Sequence, residues 1–404
     1  MKNTLSYKDA RDLFLSAVGA VKSERISLER AAGRILAEEL TAAEDVPAFD
    51  RSPYDGYALR AADTLNTSAE APVTLRILEE IPAGEISHVS VTEGTAVKVL
   101  TGSEIPRGAD AVVMFEKTVF TRETVTLSRP VKSGENIVRA GEDVRKGTFL
   151  AGPGAVIDPG LAGTLAAQNR PDVRVYRVPR VGVLSTGHEL LPPGCEPVRG
   201  KIINSSQYSL GTALEAIGCR AEYLGIAEDN EEEICRRLTE GLSVCDAVIL
   251  TGGVSVGDYD LTPKAMDLAG VRILFQGVAL KPGMACAYGM AGNRPVIALS
   301  GNPASALTNF YAVAVPALRK LSGCARPTSP EFQAALAEPF GKKSPITRLL
   351  RGHLDLTDGT ARVHIEAGQG NTVLSSAIGC DVMAEIPAGS GPVAAGTKLT
   401  AFRI

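Results

Sequence analysis

The sequence predicts a multidomain fold in which a doubly wound α/β domain is combined with β-rich domains. Its 404 residues exceed what one ordinary hydrophobic core organises. From Arg180 to Leu321, short apolar runs alternate with helical patterns, as in a mostly parallel sheet covered by helices. Before this region, from Pro47 to Ile137, and after it, from Pro327 onward, short β-type runs are separated by turn residues. We therefore expect a small β domain before the α/β domain and a β-barrel-like domain at the C-terminal end.

The individual elements follow from hydrophobic periodicity and turn residues. Ser6 and Asp9 form a capping-box pattern ahead of a first helix, and residues 28–40 also have helical spacing. In the α/β region we predict helices over residues 206–217, 231–242, 262–268 and 303–321, and strands over residues 181–184, 221–226, 247–250, 272–274 and 296–299. Strands elsewhere are predicted over residues 73–78, 96–100, 111–115, 119–127, 349–356, 361–365, 382–386 and 398–404, with Asp358-Gly359 as a hairpin turn.

These elements divide into four predicted domains. Residues 1–22 and 179–325 form the α/β domain, residues 23–46 and 139–178 a connecting domain of helical and extended segments, residues 47–138 the small β domain, and residues 326–404 the C-terminal barrel-like domain.

Composition argues against several classes of function. The chain is 45% hydrophobic and 22% charged, which is typical of a folded protein, and its net charge of −4 and lack of tryptophan argue against binding to nucleic acid or an anionic membrane. The seven cysteines and four histidines have neither zinc-site nor disulfide spacing. Lys8, Asp9, Arg11 and Asp12 interrupt the start of the chain, where a secretory signal needs an apolar core. We therefore expect a cytoplasmic protein that acts on small molecules.

The strongest candidate site follows the strand predicted over residues 247–250. Gly252 and Gly253 come directly after this strand, and Asp258 and Asp260 follow them. Glycines permit positive φ and a close approach of the backbone to an anion, and carboxylates two residues apart suit a hard cation such as Mg²⁺. The pattern indicates a site for a phosphate-bearing ligand and its metal, although aspartates here are also typical of a helix start.

Polar or glycine-rich segments also follow the neighbouring predicted strands. Glu189, Asp229 and Lys281 lie in three of them, and residues 300–303 lead into the long helix with Pro303 near its first position. Ligands of open α/β sheets collect beyond the carboxyl ends of the strands, so we expect these residues to converge on the glycine turn. The start of the long helix favours an anion, although an ordinary capped helix has the same pattern.

No nucleotide-binding fingerprint accompanies these residues. Residues 391–398 have the Walker spacing, but the final Lys-Thr order is reversed and a strand follows instead of a helix. His188 is more typical of an exposed loop than of a catalyst, since no serine or cysteine nucleophile motif lies beside it. An ordinary NTPase or dehydrogenase is therefore disfavoured.

Six motifs occur in an order that resembles one known family, the MoeA/gephyrin E-domain family of molybdopterin molybdenumtransferases. The resemblance covers essentially the whole chain. The motifs are Ser52-Pro53-Tyr54-Asp55-Gly56-Tyr57-Ala58, Thr101-Gly102, Ser185-Thr186-Gly187-His188-Glu189-Leu190, the run from Thr251 to Asp260, Lys281-Pro282-Gly283 and Ser300-Gly301-Asn302-Pro303.

The resemblance implies an elongated four-part protomer, usually a homodimer, and a function in molybdenum cofactor biosynthesis. Enzymes of this family bind adenylylated molybdopterin and molybdate, cleave the phosphoanhydride with Mg²⁺, and release molybdenum cofactor and AMP. Their cleft lies between the α/β domain of one subunit and the Asp55-bearing β domain of the other. Transient contacts with a molybdopterin adenylyltransferase or with recipient molybdoenzymes are also expected.

The resemblance further implies roles for individual residues. The expected metal ligands are Glu189, Asp229, Asp258 and Asp260. The expected catalytic residues are Asp55, Glu189, Asp229, Asp260 and Lys281. The expected substrate-binding residues are Thr101, Gly252, Gly253, Ser255, Gly301, Asn302, Pro303, Ser305, Arg351 and Asn371, and among them Arg351 would join Lys281 in attracting the oxyanion.

Two positions depart from the family pattern. Met284 stands where the family commonly has a second lysine, and Asn371 stands where it commonly has a serine. Loss of a cation weakens attraction for a dianion, although Asn371 still offers a hydrogen-bond donor. The sequence therefore leaves open a tungstate-preferring enzyme, beside a molybdopterin-binding scaffold without turnover. A phosphoanhydride hydrolase on the same α/β domain is disfavoured by residues 52–58 and by the β-rich C-terminal part.

Overall fold

The computed structural model describes residues 4–254 and 261–404. The first part of the chain is rich in strands and contains two helices. Its elements are β1 (Leu5–Ser6), α1 (Tyr7–Ala17), β2 (Ser23–Ser27), β3 (Leu40–Thr41), β4 (Gly56–Leu59), β5 (Val73–Ile81), β6 (Thr95–Val99), β7 (Ala111–Met114), β8 (Val119–Phe120), β9 (Thr124–Leu127), β10 (Phe149–Ala151), α2 (Pro159–Ala167) and β11 (Asp172–Tyr176).

The first helix begins as the capping pattern predicts. The Ser6 side chain accepts a hydrogen bond from the backbone N–H of Asp9, which satisfies one of the free donors at the helix start. The buried face of α1 carries Phe14, whose ring lies 4.8 Å from the ring of Tyr288 in the α/β sheet. Helix α1 therefore packs on the α/β domain, whose residues are far from it in sequence.

The helix predicted over residues 28–40 is wrong. Only a three-residue 3₁₀ turn forms, over Leu28–Arg30, and Gly33 then takes a left-handed φ of 71°. Leu36 forms an antiparallel bridge with Val175, and Leu36 and Leu40 are fully buried in a small core with residues near α2 and β11. The left-handed conformation of Gly33 is typical of a helix end and prevents a helix from continuing. The apolar residues after it are buried from an extended chain.

The small β domain is a six-stranded sheet. Its strand order is β7-β4-β6-β5-β9-β8, with β5 and β6 parallel and the other pairs antiparallel. Strand β4 begins at Gly56, where an added Cβ would lie 2.1 Å from the Val113 carbonyl oxygen. Only glycine fits between the two neighbouring strands at this point, and Asp55 is thereby held at the exposed end of β4.

The middle of the chain forms the predicted α/β domain. Its elements are β12 (Arg180–Thr186), β13 (Leu190–Leu191), β14 (Ile202–Ile203), α3 (Ser206–Ala216), β15 (Arg220–Ala227), α4 (Glu231–Val244), β16 (Ala247–Thr251), α5 (Leu261–Leu268), β17 (Arg272–Gln276), β18 (Val278–Lys281), β19 (Cys286–Ala291), β20 (Arg294–Leu299), α6 (Pro303–Asn309) and α7 (Val315–Leu321), with a π-helical turn over Phe310–Ala314 joining the last two helices.

The α/β sheet has the order β15-β12-β16-β20-β19-β17. The first four strands are parallel, and β19 and β17 add an antiparallel edge. The chain passes from β12 to β15 on one side and then to β16 on the other, so the direction of winding changes between β12 and β16. In doubly wound sheets a crevice opens at the carboxyl ends of such a pair. The prediction of a doubly wound, mostly parallel sheet is confirmed.

The C-terminal part is a closed five-stranded barrel, as the barrel-like prediction requires. Its strands are β21 (Glu331–Leu336), β22 (Thr347–Asp355), β23 (Arg362–Ile365), β24 (Val382–Ile386) and β25 (Lys398–Arg403). Strand β22 pairs with both β23 and β24, which closes the ring. Strand β18 of the α/β region pairs with β1 and β22 and joins the two parts. The domain boundaries themselves stay predictions.

Among residues 4–254 and 261–404, no helix has both the length and the apolar character needed to cross a membrane.

Candidate functional site

A cavity of about 980 Å³ lies at the carboxyl ends of β12 and β16. Residues from every polar segment predicted to converge there line its wall. The predicted site residues on the wall are Glu189, Asp229, Gly252, Gly253, Lys281, Gly301, Asn302, Pro303, Ser305 and Asn371. The strand order therefore brings together side chains that are up to 182 positions apart in the sequence, counted from Glu189 to Asn371.

One side of the cavity carries a group of potential metal ligands. Ligand atoms of His188, Glu189 and Asp229 lie within 4.8 Å of one another, and no other His, Cys, Asp or Glu group of this kind occurs in the described part of the chain. An added Cβ on Gly187, whose φ is +147°, would lie 2.6 Å from a Glu189 carboxylate oxygen, so the glycine makes room for the folded-back carboxylate. This arrangement offers oxygen ligands to a divalent cation.

The glycine turn after β16 is tightly packed against the end of β12. An added Cβ on Gly252 would lie 2.5 Å from the Thr186 carbonyl oxygen, and one on Gly253 would lie 2.6 Å from Thr262 Oγ1. Thr262 Oγ1 donates a 2.8 Å hydrogen bond to the Gly252 carbonyl oxygen. Both glycines have positive φ, so their conformation and their surroundings each exclude a side chain.

Replacement of Gly252 by alanine is expected to destabilise the protein. At φ +104° with a backbone oxygen 2.5 Å away, the new methyl group forces a shift of strand ends, costing about 2 kcal/mol or more of unfolding free energy. Urea unfolding followed by circular dichroism measures the change. Gly301→Ala is the matched control on the same wall, because its nearest neighbour is 3.5 Å away; equal losses in the two variants would refute this account of the turn.

The opposite side of the cavity combines a cation with the start of α6. Lys281 is exposed at the end of β18, and the Gly283 carbonyl oxygen accepts a 2.6 Å hydrogen bond from Asn309 Nδ2 in α6. The backbone N–H of Ser305 donates to the Asn371 carbonyl oxygen at 3.2 Å, which ties a loop of the barrel to the helix start. A positive charge and the start of α6 therefore lie on the cavity wall together with the carboxylates, a combination that suits an anionic ligand with a bound cation.

Comparison with known proteins identifies the family. Residues 5–168 match the MoeA N-terminal region (domain I and II), residues 182–320 a probable molybdopterin binding domain, and residues 333–401 the MoeA C-terminal region (domain IV). A molybdopterin molybdenumtransferase of Staphylococcus aureus is 33% identical over 98% of this chain and 94% of its own length. The chain belongs to the MoeA family. The resemblance seen in the six motifs is thereby confirmed, as is the prediction of an enzyme of this class.

Other MoeA relatives agree along nearly the whole chain. A molybdopterin molybdenumtransferase of Staphylococcus epidermidis is 36% identical over 88% of this chain and 85% of its own length. The crystal structure of a molybdopterin biosynthesis moeA protein from Pyrococcus horikoshii is 31% identical, covers 100% of both chains and has a TM-score of 0.85. MoeA membership places the chain in molybdenum cofactor biosynthesis.

Arg351, which the family resemblance predicted to bind substrate, lies behind the cavity wall and is not part of its lining. Its side chain is fully buried and donates hydrogen bonds to Thr308 Oγ1 at 3.2 Å and Ser376 Oγ at 2.8 Å. Its Nε is buried without a hydrogen-bond partner among the described residues. Burial lowers the pKa of the guanidinium below its ordinary value. The sequence could not show that Arg351 is buried behind the wall, because the closure of the barrel decides which face of β22 is covered.

Asp55 and Thr101 lie on the small β domain and do not line the cavity. Asp55 Oδ1 accepts hydrogen bonds from the backbone N–H of Thr101 at 2.7 Å and from its Oγ1 at 2.8 Å. These bonds, the backbone one first, lower the pKa of the exposed Asp55 carboxyl below its ordinary value. The two residues therefore form one ionised, oriented pair. Ser255, Asp258 and Asp260, also predicted for the site, lie outside the described residues.

Two residues at the cavity were not singled out from the sequence, Asn204 on the wall and Lys201 beside it. Asn204, only 2% exposed, follows β14 and its Nδ2 donates to Gln207 Oε1 at 3.0 Å. Lys201 Nζ donates to the carbonyl oxygen of His188 and holds the β12 loop beside β14. Met284, which the sequence comparison with the family pattern had already singled out, also lines the wall and is 44% exposed. In the sequence, Asn204 is a polar residue directly after the apolar pair Ile202 and Ile203. This pattern is too common to indicate a functional site.

Proposed function

We propose that this enzyme inserts molybdate into adenylylated molybdopterin, with Mg²⁺-dependent cleavage of the phosphoanhydride and release of molybdenum cofactor and AMP. One observation supports this assignment most strongly. The cavity has carboxylates on one side and a lysine with a helix start on the other, at the winding change of the α/β sheet. A diphosphate-type ligand with a divalent cation matches this distribution of charge.

The carboxylates near β12 suit Mg²⁺. Glu189 and Asp229 offer oxygen atoms close enough to share one ion, and Asp258 and Asp260 are proposed to complete the set from the neighbouring segment. Bound Mg²⁺ would neutralise phosphate charge and favour departure of AMP. The protein's own contribution is to hold the carboxylates in place, and the absence of a side chain at Gly187 gives the Glu189 carboxylate its room.

The opposite wall is proposed to bind the anionic groups. Lys281 attracts the oxyanion, and Arg351 adds a second positive charge from behind the wall. The backbone and side chains around them would orient the substrate phosphates and pterin. These substrate-binding residues are Gly252, Gly253, Ser255, Gly301, Asn302, Pro303, Ser305 and Asn371.

A second copy of the chain is proposed to complete the site. Asp55 and Thr101 are exposed and paired, yet they lie outside the cavity of their own chain. In a homodimer, the β domain of one subunit would bring this pair to the cavity of the other. The oriented carboxylate would then act on the substrate from the side opposite Lys281.

One observation favours a variant of this function. Met284 occupies the cavity wall beside Lys281, where a second cation would strengthen attraction for a dianion. An exposed thioether contributes no charge, so the second candidate is an enzyme with the same reaction that prefers tungstate to molybdate.

The proposal predicts which ligand stabilises the protein. Adenylylated molybdopterin with Mg²⁺ is expected to raise the melting temperature, because a ligand present at 100 times its Kd adds about 2.7 kcal/mol to stability. AMP, ATP and NADH at the same concentration serve as controls, and their shifts are expected to be smaller. An equal or larger shift with an ordinary nucleotide would contradict the proposal.

A further inference from the structure

We propose that the cation site at the end of β12 has a mixed nitrogen and oxygen ligand set that includes His188, and that it binds Mn²⁺ or Zn²⁺ more tightly than Mg²⁺. The location of this site rests on the proposed function. The inference concerns a residue to which the proposed reaction gives no role, and it predicts the metal preference of the site.

The geometry places the imidazole of His188 with the two carboxylates. Ligand atoms of His188, Glu189 and Asp229 all lie within 4.8 Å of one another. His188 Nδ1 is 2.9 Å from Asp229 Oδ2, and the backbone N–H of His188 donates to the same oxygen at 3.1 Å. Ligands of one ion with bonds of about 2.1 Å lie no more than about 4.2 Å apart, so small rotations of the side chains bring all three onto one ion.

The contact with Asp229 orients the imidazole. In the tautomer protonated on Nε2, the lone pair of the ring is on Nδ1, on the side that faces Asp229. Nδ1 and Asp229 Oδ2 are 2.9 Å apart, and two adjacent ligands of one ion with bonds of about 2.1 Å have a similar separation of about 3 Å. A cation can therefore replace the hydrogen bond between them and take both atoms as ligands.

The surrounding loop is held in position while the ring stays accessible. The His188 side chain is 79% exposed, and that of Asp229 is 37% exposed, so an ion reaches both from solvent. Lys201 Nζ donates to the His188 carbonyl oxygen and fixes the backbone of the loop. The chain thereby presents a nitrogen donor at the mouth of the cavity.

The ligand types decide the metal preference. Mg²⁺ prefers oxygen ligands and retains its waters, whereas imidazole nitrogen is a good ligand for Zn²⁺ and other transition metals, and Mn²⁺ accepts both. A site that contains one imidazole and two carboxylates therefore gains affinity for Mn²⁺ or Zn²⁺ through the nitrogen, and gains little for Mg²⁺. The selectivity should depend on His188.

Two histidines on the barrel also lie close to carboxylates, so the experiment needs a control for them. His364 Nδ1 lies 2.8 Å from Glu338 Oε1 and its Nε2 lies 3.7 Å from Asp355 Oδ2. His353, paired with His364 across β22 and β23, has Nε2 3.3 Å from Glu366 Oε1. These imidazoles could also bind added metal, so an experiment must assign any nitrogen ligand to one histidine.

Pulsed electron paramagnetic resonance of Mn²⁺ bound to the tag-free, full-length protein provides that assignment, because it detects coupling to a coordinated ¹⁴N nucleus. Three proteins are compared: the wild type, His188→Asn, and a variant with His88, His353 and His364 all replaced by asparagine, which retains His188 as its sole histidine. Titrations with Mn²⁺ and Mg²⁺ give the affinities. Melting temperatures check folding, and His364→Asn alone replaces the triple variant if that protein does not fold.

The expected result is ¹⁴N coupling in the wild type and in the sole-histidine variant, and none in His188→Asn. The affinity for Mn²⁺ should fall about tenfold or more in His188→Asn, while that for Mg²⁺ changes less than about threefold. Absence of coupling in the wild type, its persistence in His188→Asn, or its loss with His364 would overturn the inference. Mg²⁺-dependent AMP release by the wild type tests the proposed function separately and survives any of these outcomes.

Discussion

Replacement of Glu189 by glutamine is expected to reduce AMP release from adenylylated molybdopterin by at least about 100-fold, since loss of metal-assisted charge stabilisation costs several kcal/mol. The amide has the shape of the carboxylate but no charge, and it weakens the hold on Mg²⁺ where Glu189 and Asp229 come together. Glu189 is half-exposed in a loop, so the fold and melting temperature should be retained.

Glu228→Gln is the matched control for this experiment. Glu228 is an exposed acid directly before Asp229 and is not part of the cavity wall. It should keep its AMP release within about twofold of the wild type, since a surface charge acts only weakly through solvent. Full activity in Glu189→Gln, or equal losses in both variants, would remove Glu189 from the metal site.

Replacement of Arg351 by methionine is expected to weaken molybdate binding about tenfold or more, because a positive charge near a dianion in a partly buried wall contributes several kcal/mol. Arg351 also donates to Ser376 Oγ and to the carbonyl oxygen of Gly370, next to Asn371 on the cavity wall. The loss therefore removes a charge and loosens the loop that carries Asn371. Equilibrium dialysis with elemental analysis of bound molybdenum measures the affinity.

The same substitution is expected to change the melting temperature little, because the loss of hydrogen bonds to Thr308, Gly370 and Ser376 offsets the gain from removing a buried unpaired charge. Arg351 is fully buried, and no carboxylate pairs with it among the described residues. Burying an unpaired charge is costly, and methionine fills much of the same volume without that cost. Arg403→Met is the control, because Arg403 is an exposed arginine of the barrel that forms an ion pair with Asp381. A large fall in stability with unchanged molybdate affinity would make Arg351 a purely structural residue.

Much of the α/β domain could be predicted because its elements have local causes. The helices predicted over residues 206–217 and 231–242 are observed over Ser206–Ala216 and Glu231–Val244. The second helix is also capped, because the Asn230 side chain accepts hydrogen bonds from the backbone N–H groups of Glu232 and Glu233. Strand β19 was not predicted, although it forms a hairpin with β20 across the turn residues Gly292 and Asn293, which are a local signal. Strand β18 was not predicted because it has only four residues and pairs with β1 and β22, which are distant in sequence. Pairing over such separations depends on the complete fold and leaves no local pattern.

Some residues of the candidate site could likewise be predicted from the sequence, and others could not. Glu189, Asp229 and Gly252 could be placed on one rim from the pattern of strands alone, since parallel strands end at the same edge. Lys281 was predicted on the same rim and lies on the cavity wall, but it ends β18, which is not part of the α/β sheet. The burial of Arg351 could not be predicted, because an arginine in an alternating strand is usually solvated. His188 was judged an exposed loop residue, which its 79% exposure confirms. Its closeness to Asp229 depends on the pairing of β12 with β15, which no local pattern specifies.

The most direct test of the central claim is AMP release from adenylylated molybdopterin by the purified protein with Mg²⁺, in the presence of molybdate, tungstate or neither oxyanion. The account predicts release that requires both the metal and an oxyanion, with molybdate effective despite Met284 in the cavity wall. Tight binding of the pterin without release under any of these conditions would contradict the assignment as a transferase and indicate a scaffold that binds molybdopterin.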